Sequence, residues 1–386
     1  MKAADRVVNL PPYVFAQVGR RIRELVAEGK DIIRLDIGSP DLPPPDFILE
    51  ELYRSTRVPT HHGYGGYYGT PELRQAMATY YENRFGVKLD PEKEVAPLIG
   101  SKEGIANAAL AFVDPGESVL VPDPGYPTYR MGTLLAGGVP AVVPLQPEKD
   151  YLPDLEEIPE NLARSARILW LNYPNNPTGA IAPLEFLERV VDFARAYDIL
   201  VCHDNPYCDV VYDGYVAPSI LQVQGARDVA LEFNSLSKTY NMAGWRVAMA
   251  VGNGTAVEAL ARTKTQIDSG IFRAIQDASV VALTGDQSWI EDRNEIYRER
   301  RDLILETLQS LGLQAKKPLA SLYVWAALPE GTSSVDFAKL LLEEAGISVA
   351  PGSAFGTFGE GYIRVSVGMD TERIREAMER LKRLSF

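Results

Sequence analysis

Cysteine and histidine are scarce, with two and three residues in a chain of 386. They do not make a zinc-site pattern, and Cys202, set in an apolar run, reads as a buried small hydrophobe. Positive charge is in deficit. The 39 basic and 52 acidic residues leave a net charge of −13, which argues against nucleic acid or an anionic membrane as the main partner, since either wants a basic face. A local basic pocket for a small anion is compatible with that balance. No apolar stretch is long enough to span a bilayer. Met1 to Arg6 lacks the apolar core of a signal peptide, so a cytoplasmic enzyme is the expectation. Internal repeats and low-complexity segments are absent. What is present is 46% hydrophobic and 24% charged residues, the profile of a soluble globular protein with two or three domains and a large buried core.

Hydrophobic periodicity predicts a helix from Tyr13 to Gly29, with Val14, Val18, Ile22, Leu25 and Val26 on one side. Asp31 to Gly38 reads as a short strand. The proline-rich run Gly38 to Pro45 reads as a linker or an active-site wall. His61 to Gly69, rich in glycine and tyrosine, is either a binding loop or irregular coil. Thr70 as N-cap and Pro71 at the first helical position start a helix to about Phe85. Strands follow at Val95–Ile99, Ser118–Val121, Val139–Val143, Ile168–Leu171 and Ile199–His203. Helical stretches lie between them, through Val113, to about Ala136, and around Asp154–Ala163 and Pro183–Tyr197. This alternation predicts an α/β fold, a mostly parallel sheet with helices on both faces. Helical periodicity dominates from Val257 to Gly312. Strands at Leu322–Ala326, Ile347–Val349 and Tyr362–Val367, with helices at Val335–Ala345 and Thr371–Leu384, predict a smaller α+β domain. The boundaries fall near Pro43 and Trp289, giving a large domain at 46–288 and a small one built from 1–45 and 289–386.

Lys238 stands in a hydroxyl-rich turn between two apolar runs, Val229–Phe233 and Trp245–Val251. A lysine there is partly desolvated and near a second cation, Arg246, and both effects favour the free amine. Taken alone, it reads first as a surface lysine in a loop. Other chemistry falls just beyond strand ends, where ligands collect in such sheets. Gly100-Ser101-Lys102 opens a helix whose free N–H groups suit a phosphate, unless Ser101 is only an N-cap. Asn172 to Gly179 is a turn by composition and also a source of amides. Asp204, at the end of an apolar strand, either caps a helix or needs a partner such as a cationic ring nitrogen. Together with Tyr207, Ser235, Ser237 and Arg246 these groups form the set that pyridoxal 5′-phosphate requires.

The order of Asn176-Pro177-Thr178-Gly179, Asp204-Asn205-Pro206-Tyr207, Ser235-Leu236-Ser237-Lys238, Arg246 eight residues later, and Tyr362-Ile363-Arg364-Val365-Ser366 resembles the fold-type I, class I/II aminotransferases over essentially the whole chain. Asn9 to Tyr13, Ile99 to Ile105 and Ser237 to Met242 narrow the resemblance to members like the LL-diaminopimelate aminotransferases. The resemblance implies that Lys238 bonds the cofactor and moves protons, that Asp204 pairs with its ring nitrogen, and that Tyr207 and Asn176 bond its ring hydroxyl. It implies a phosphate cradle of Gly100, Ser101, the Lys102 backbone, Ser235, Ser237 and Arg246, with Tyr126 stacked on the ring. Arg364 and Asn176 would take the substrate α-carboxylate, Gly38 would lie at the mouth, and the Lys102 side chain would either meet a distal carboxylate or stay out of the site. Tyr64 would reach the neighbouring subunit's phosphate, implying a homodimer with shared sites. The implied reaction is amino transfer between an L-amino acid, possibly LL-diaminopimelate or aspartate, and a 2-oxo acid such as 2-oxoglutarate. The alternative on the same fold is a carbon–sulfur or β-elimination lyase. A cofactor-binding regulator fused to a DNA-binding module is disfavoured by the net charge and by the lack of a spare segment.

Overall fold

The computed structural model describes residues 1–8, 10–11 and 14–384. Its strands, in chain order, are β1 Ile33–Arg34, β2 Val95–Leu98, β3 Ser118–Asp123, β4 Val139–Pro144, β5 Ala166–Asn172, β6 Leu200–Asp204, β7 Ala230–Ser235, β8 Ala248–Gly252, β9 Gln314–Ala315, β10 Tyr323–Ala327, β11 Ile347–Ser348, β12 Ala350–Pro351 and β13 Tyr362–Ser366. Seven form one sheet in the order β2-β8-β7-β6-β5-β3-β4. It is parallel from β7 through β4, and β8 runs antiparallel to both its neighbours.

The apolar runs of these strands are continuous because both faces are buried. Leu169, Leu171 and Val201 enter one core with Met77, Val190 and Ala278. The alternate residues Ile168, Trp170 and Cys202 enter another with Ile105, Ala108 and Leu260. The fold is thus α/β, with helices on both faces. A four-stranded antiparallel sheet, β12-β13-β10-β9, and the parallel pair β1-β11 bring the two ends of the chain together. Ile33 and Leu35 share their core with Tyr297, Ile304, Phe337 and Ile374.

Several local expectations are corrected. Only Ile33–Arg34 of the run Asp31 to Gly38 is strand, because Leu35 donates to Ser348 O and accepts from Ser366 N–H in turn, crossing between two partners. The helix expected over Asp154–Ala163 starts only at Glu160 and runs on to Ser165, since Pro159, which has no N–H and a fixed φ, sits at its N-cap. Val257 to Gly312 holds three helices, at Gly254–Lys264, Arg273–Thr284 and Trp289–Ser310. Of the strand expected over Ile347–Val349 only Ile347–Ser348 forms, as β11; Val349 breaks the run before β12, which pairs with a different strand partner. Helix Asp46–Thr56 carried no earlier signal. In the helix Val14–Ala27, Ile22 and Leu25 are buried but Val26 is exposed. Asn9, Pro12 and Tyr13 lie outside the described residues. Thr70 does cap its helix, its hydroxyl accepting from Leu73 N–H at 3.2 Å. Among the described residues no helix is long and apolar enough to cross a membrane, and no group of three or more possible metal ligands occurs.

Candidate active site

The carboxyl ends of β5, β6 and β7 lie side by side, with Asn172 in register with Asp204 and Asp204 with Phe233. Because β8 is reversed, its beginning lies at that same edge. Ala248 faces both Ser235 on β7 and Leu98 on β2. Arg246, two residues before β8, therefore converges with Ser101 and Ser235. Trp245 and Arg246 are not strand, contrary to expectation. Ala243–Trp245 is a single 3-10 turn and Arg246 takes a left-handed φ of 59°. Gly100 has φ 80° and precedes the helix Ser101–Phe112. A Cβ on Gly100 would stand 2.0 Å from Arg246 Nη2, so both backbone and space call for glycine there. Ser101 is the first residue inside the helix, not its N-cap, and its Oγ is buried without a hydrogen-bond partner among the described residues.

Gly38, Ser101, Lys102, Tyr126, Asn176, Asp204, Tyr207, Ser235, Ser237, Lys238, Arg246 and Arg364 line one cavity of about 330 Å³. Gly100 is not among the lining residues and contributes by leaving room for Arg246. Tyr64 is not brought in and is 92% exposed.

Lys238 sits in a one-turn helix, Leu236–Thr239, rather than a plain turn. Arg293, itself buried, fixes that turn from below, donating to the carbonyls of Lys238 at 2.8 Å, of Asp209 at 2.6 Å and of Thr239. The Lys238 amine donates to the Gly38 carbonyl. Burial, then the charges of Arg364 and Arg246, lower its pKa from 10.5 to about 8. The sequence set only Arg246 beside Lys238; the resemblance placed Arg364, 126 positions away, at the substrate carboxylate and not as a charge acting on the lysine.

Asp204 accepts from the Tyr129 hydroxyl at 2.6 Å through Oδ2, while Oδ1 is buried with no partner among the described residues. It caps no helix. Burial raises its pKa from 3.8 to about 6, opposed by the Tyr129 hydrogen bond and by the charges of His203 and Lys238. Folding without a positive partner thus favours the protonated acid. The native state then holds a proton that the unfolded chain releases above about pH 4, so stability falls as pH rises from about 4 to 6. In the cofactor-free protein, Asp204→Asn should remove that slope. Melting temperatures from pH 4 to 7 for both proteins check this, and parallel curves would contradict it.

Arg364 is nearly buried between two rings, 4.2 Å from the Tyr323 centroid and 4.7 Å from that of Phe355. It donates to Asn176 Oδ1 and to the Asp36 carbonyl, both at 2.7 Å, and its Nε has no partner among the described residues. Asn172 holds Asn176 in turn, accepting from its N–H at 2.7 Å while donating to the Asp204 carbonyl at 2.7 Å.

The sequence reading passed over Tyr129, Tyr323, Phe355 and the pair Arg34–Asp36. Tyr323 bonds Tyr207 hydroxyl to hydroxyl at 2.7 Å, and a Cβ on Gly38 would fall 2.0 Å from its hydroxyl. Tyr129 lies in a helix and Tyr323 in a strand of the other sheet, with no local motif to mark either.

Known proteins resemble this chain over nearly its whole length. A family model described as aminotransferase class I and II matches residues 30–381. The LL-diaminopimelate aminotransferase of Desulforudis audaxviator is 52% identical over 379 residues, covering 98% of this chain and 97% of that protein. The protein of the same name from Aquifex aeolicus is 49% identical over 383 residues, 99% of each. Among solved structures, apo BacF from Bacillus subtilis matches with a TM-score of 0.96 at 37% identity, over 100% of this chain and 99% of that one. A mutant aspartate aminotransferase from Thermus thermophilus matches at 0.93 and 32% identity, over 99% of each chain.

Proposed function

The chain belongs to the class I and II aminotransferases, a family that uses pyridoxal 5′-phosphate, and we propose that it transfers the amino group of LL-diaminopimelate to 2-oxoglutarate on that cofactor. The substrate assignment is carried by the full-length likeness, near 50%, to proteins named for that reaction. The cavity fits the cofactor. Asp204 Oδ1 and Ser101 Oγ are buried polar atoms in want of partners, and a ring N–H and a phosphate would supply them. A lysine amine with a pKa lowered to about 8 is ready to bond an aldehyde.

When bound, the cofactor supplies an electron-withdrawing ring that stabilises negative charge at the substrate α-carbon. Ser101 at its helix N-terminus, Ser235, Ser237 and Arg246 would hold the phosphate dianion, with the Gly100 and Lys102 backbones shaping the cradle. Ionised Asp204 would pair with the ring nitrogen, Tyr207 would bond the ring hydroxyl, and Tyr126 would cover the ring face. Arg364 would take the α-carboxylate through a two-pronged contact, with Asn176 holding the guanidinium in line. Lys238 would hold the cofactor through its aldehyde carbon and, once its amine is free, would act as the base that takes the substrate α-proton and the acid that returns it to that cofactor carbon. Gly38 would lie at the substrate mouth, where it leaves room for the Tyr323 hydroxyl and gives Lys238 a carbonyl to rest on. Tyr64 would complete the phosphate site of a second copy in a homodimer. The large and small domains would be 46–288 and 1–45 with 289–386.

The test is a donor screen with purified holoenzyme and 2-oxoglutarate, oxaloacetate or pyruvate as acceptor. LL-diaminopimelate with 2-oxoglutarate should give the highest kcat/KM. An equal or higher value for aspartate would overturn the substrate assignment.

A further inference from the structure

The extended run through β1 places one ion pair that none of the roles above uses. Side chains along an extended chain alternate between faces. Ile33 and Leu35 enter the core beneath the small sheet. Arg34 and Asp36 therefore project from the opposite face, and both line the cavity. They form a two-pronged pair, with Arg34 Nε donating to Asp36 Oδ1 at 2.7 Å and Nη2 to Oδ2 at 2.8 Å. The Asp36 side chain is 6% exposed and that of Arg34 30%.

Both members keep capacity to spare. Arg34 Nη1 has no hydrogen-bond partner among the described residues, and each Asp36 oxygen accepts one bond, from Arg34. A carboxylate oxygen has a second lone pair, and a guanidinium has five donors. The pair is net neutral, so a ligand end with one charge meets an attraction and a repulsion side by side. An end that carries an ammonium and a carboxylate on one carbon meets two attractions. Its place in the cavity suits the far end of a substrate. The Asp36 carbonyl accepts from Arg364 Nη2 at 2.7 Å, so the pair begins beside the α-carboxylate clamp. The two amino-acid carbons of diaminopimelate are joined by four carbon–carbon bonds, which span about 5 Å when extended. Lys102 offers charge for a distal carboxylate but nothing for a distal ammonium.

We propose that Arg34 and Asp36 form the subsite that reads the distal amino-acid end of the substrate, the guanidinium taking its carboxylate and the Asp36 carboxylate its ammonium. This deepens, and rests on, the diaminopimelate reading. Discrimination arises as much from the repulsion felt by singly charged ends as from the attraction of the doubly charged one.

The test uses three donors with holoenzyme and 2-oxoglutarate. They are LL-diaminopimelate, L-2-aminopimelate, which lacks the distal amine, and L-lysine, which lacks the distal carboxylate. The readout is the ratio of kcat/KM values, which is independent of the active fraction in each preparation. Hydrogen bonds to charged groups set the scale, and each lost contact should change a ratio about tenfold or more. Asp36→Asn should cut the preference for diaminopimelate over 2-aminopimelate, with a smaller effect on its preference over lysine. Arg34→Gln should do the reverse. The double variant, which keeps an amide contact but no charge, should lose both preferences. If the wild type favours diaminopimelate and the variants lower all three rates in proportion, the pair is merely structural and the subsite is overturned while the substrate reading stands. If the wild type itself does not prefer diaminopimelate to both analogues, the substrate reading and the subsite fall together.

Discussion

Replacing Lys238 with alanine should lower the turnover of every amino donor by at least about a thousandfold, within the range that a positioned acid–base group supplies. Three features of its surroundings make it the group to remove. Arg293 fixes the backbone of its turn, Gly38 holds its amine, and burial beside Arg364 and Arg246 brings its pKa down to about 8. Among the described residues no other lysine combines these features, and Lys102, which also lines the cavity, is exposed. The loss of turnover should be accompanied by the loss of a covalent mark. Holoenzyme treated with borohydride should carry the reduced cofactor on the peptide containing Lys238, and the alanine variant should carry none. A reduced adduct on another lysine in the wild type would assign the anchor elsewhere.

Arg364→Leu should be nearly as damaging, for a different reason. The bound α-carboxylate would lose two charge-assisted hydrogen bonds of about 1.5–3 kcal/mol each, a loss near a thousandfold in kcat/KM for any amino donor. The loss should be common to donors of all side chains, since every one presents the same carboxylate. The substitution should also act on Lys238. Arg364 is the leading charge that disfavours the Lys238 ammonium, so its removal raises the lysine pKa and shrinks the free-amine fraction near neutrality. Acylation of Lys238 in the cofactor-free protein, followed by peptide mass, should titrate near pH 8 in the wild type and at higher pH in the leucine variant. An unshifted titration would show that burial and Arg246 set the value without Arg364.

Most of the parallel sheet was legible because its signals are local. The buried strands are short apolar runs, and glycine, proline and asparagine punctuate their ends. Residues at those ends, such as Ser101, Asn176, Asp204 and Lys238, stood out for the same reason. Elements that failed were decided at a distance. The run Asp31 to Gly38 reads as one strand, but its hydrogen bonds are divided between Ser348 and Ser366. Tyr129 and Tyr323 carry no motif, and only packing shows that one bonds Asp204 and the other Tyr207.

The sequence by itself determined the alternating α/β plan and which polar groups stand at strand ends, since each follows from neighbours a few residues apart, and the family resemblance, since it needs only short motifs in a fixed order. Only the tertiary structure decided how those groups meet. The reversal of β8 puts Arg246 beside Ser235 and Ser101. The return of the carboxyl-terminal strands to β1 sets Arg364 against Asp36 and within reach of Lys238. The physical reason is range. Periodicity and capping act over one or two turns of chain, whereas the charge and burial that lower the Lys238 pKa come from residues brought close only by long-range pairing and packing.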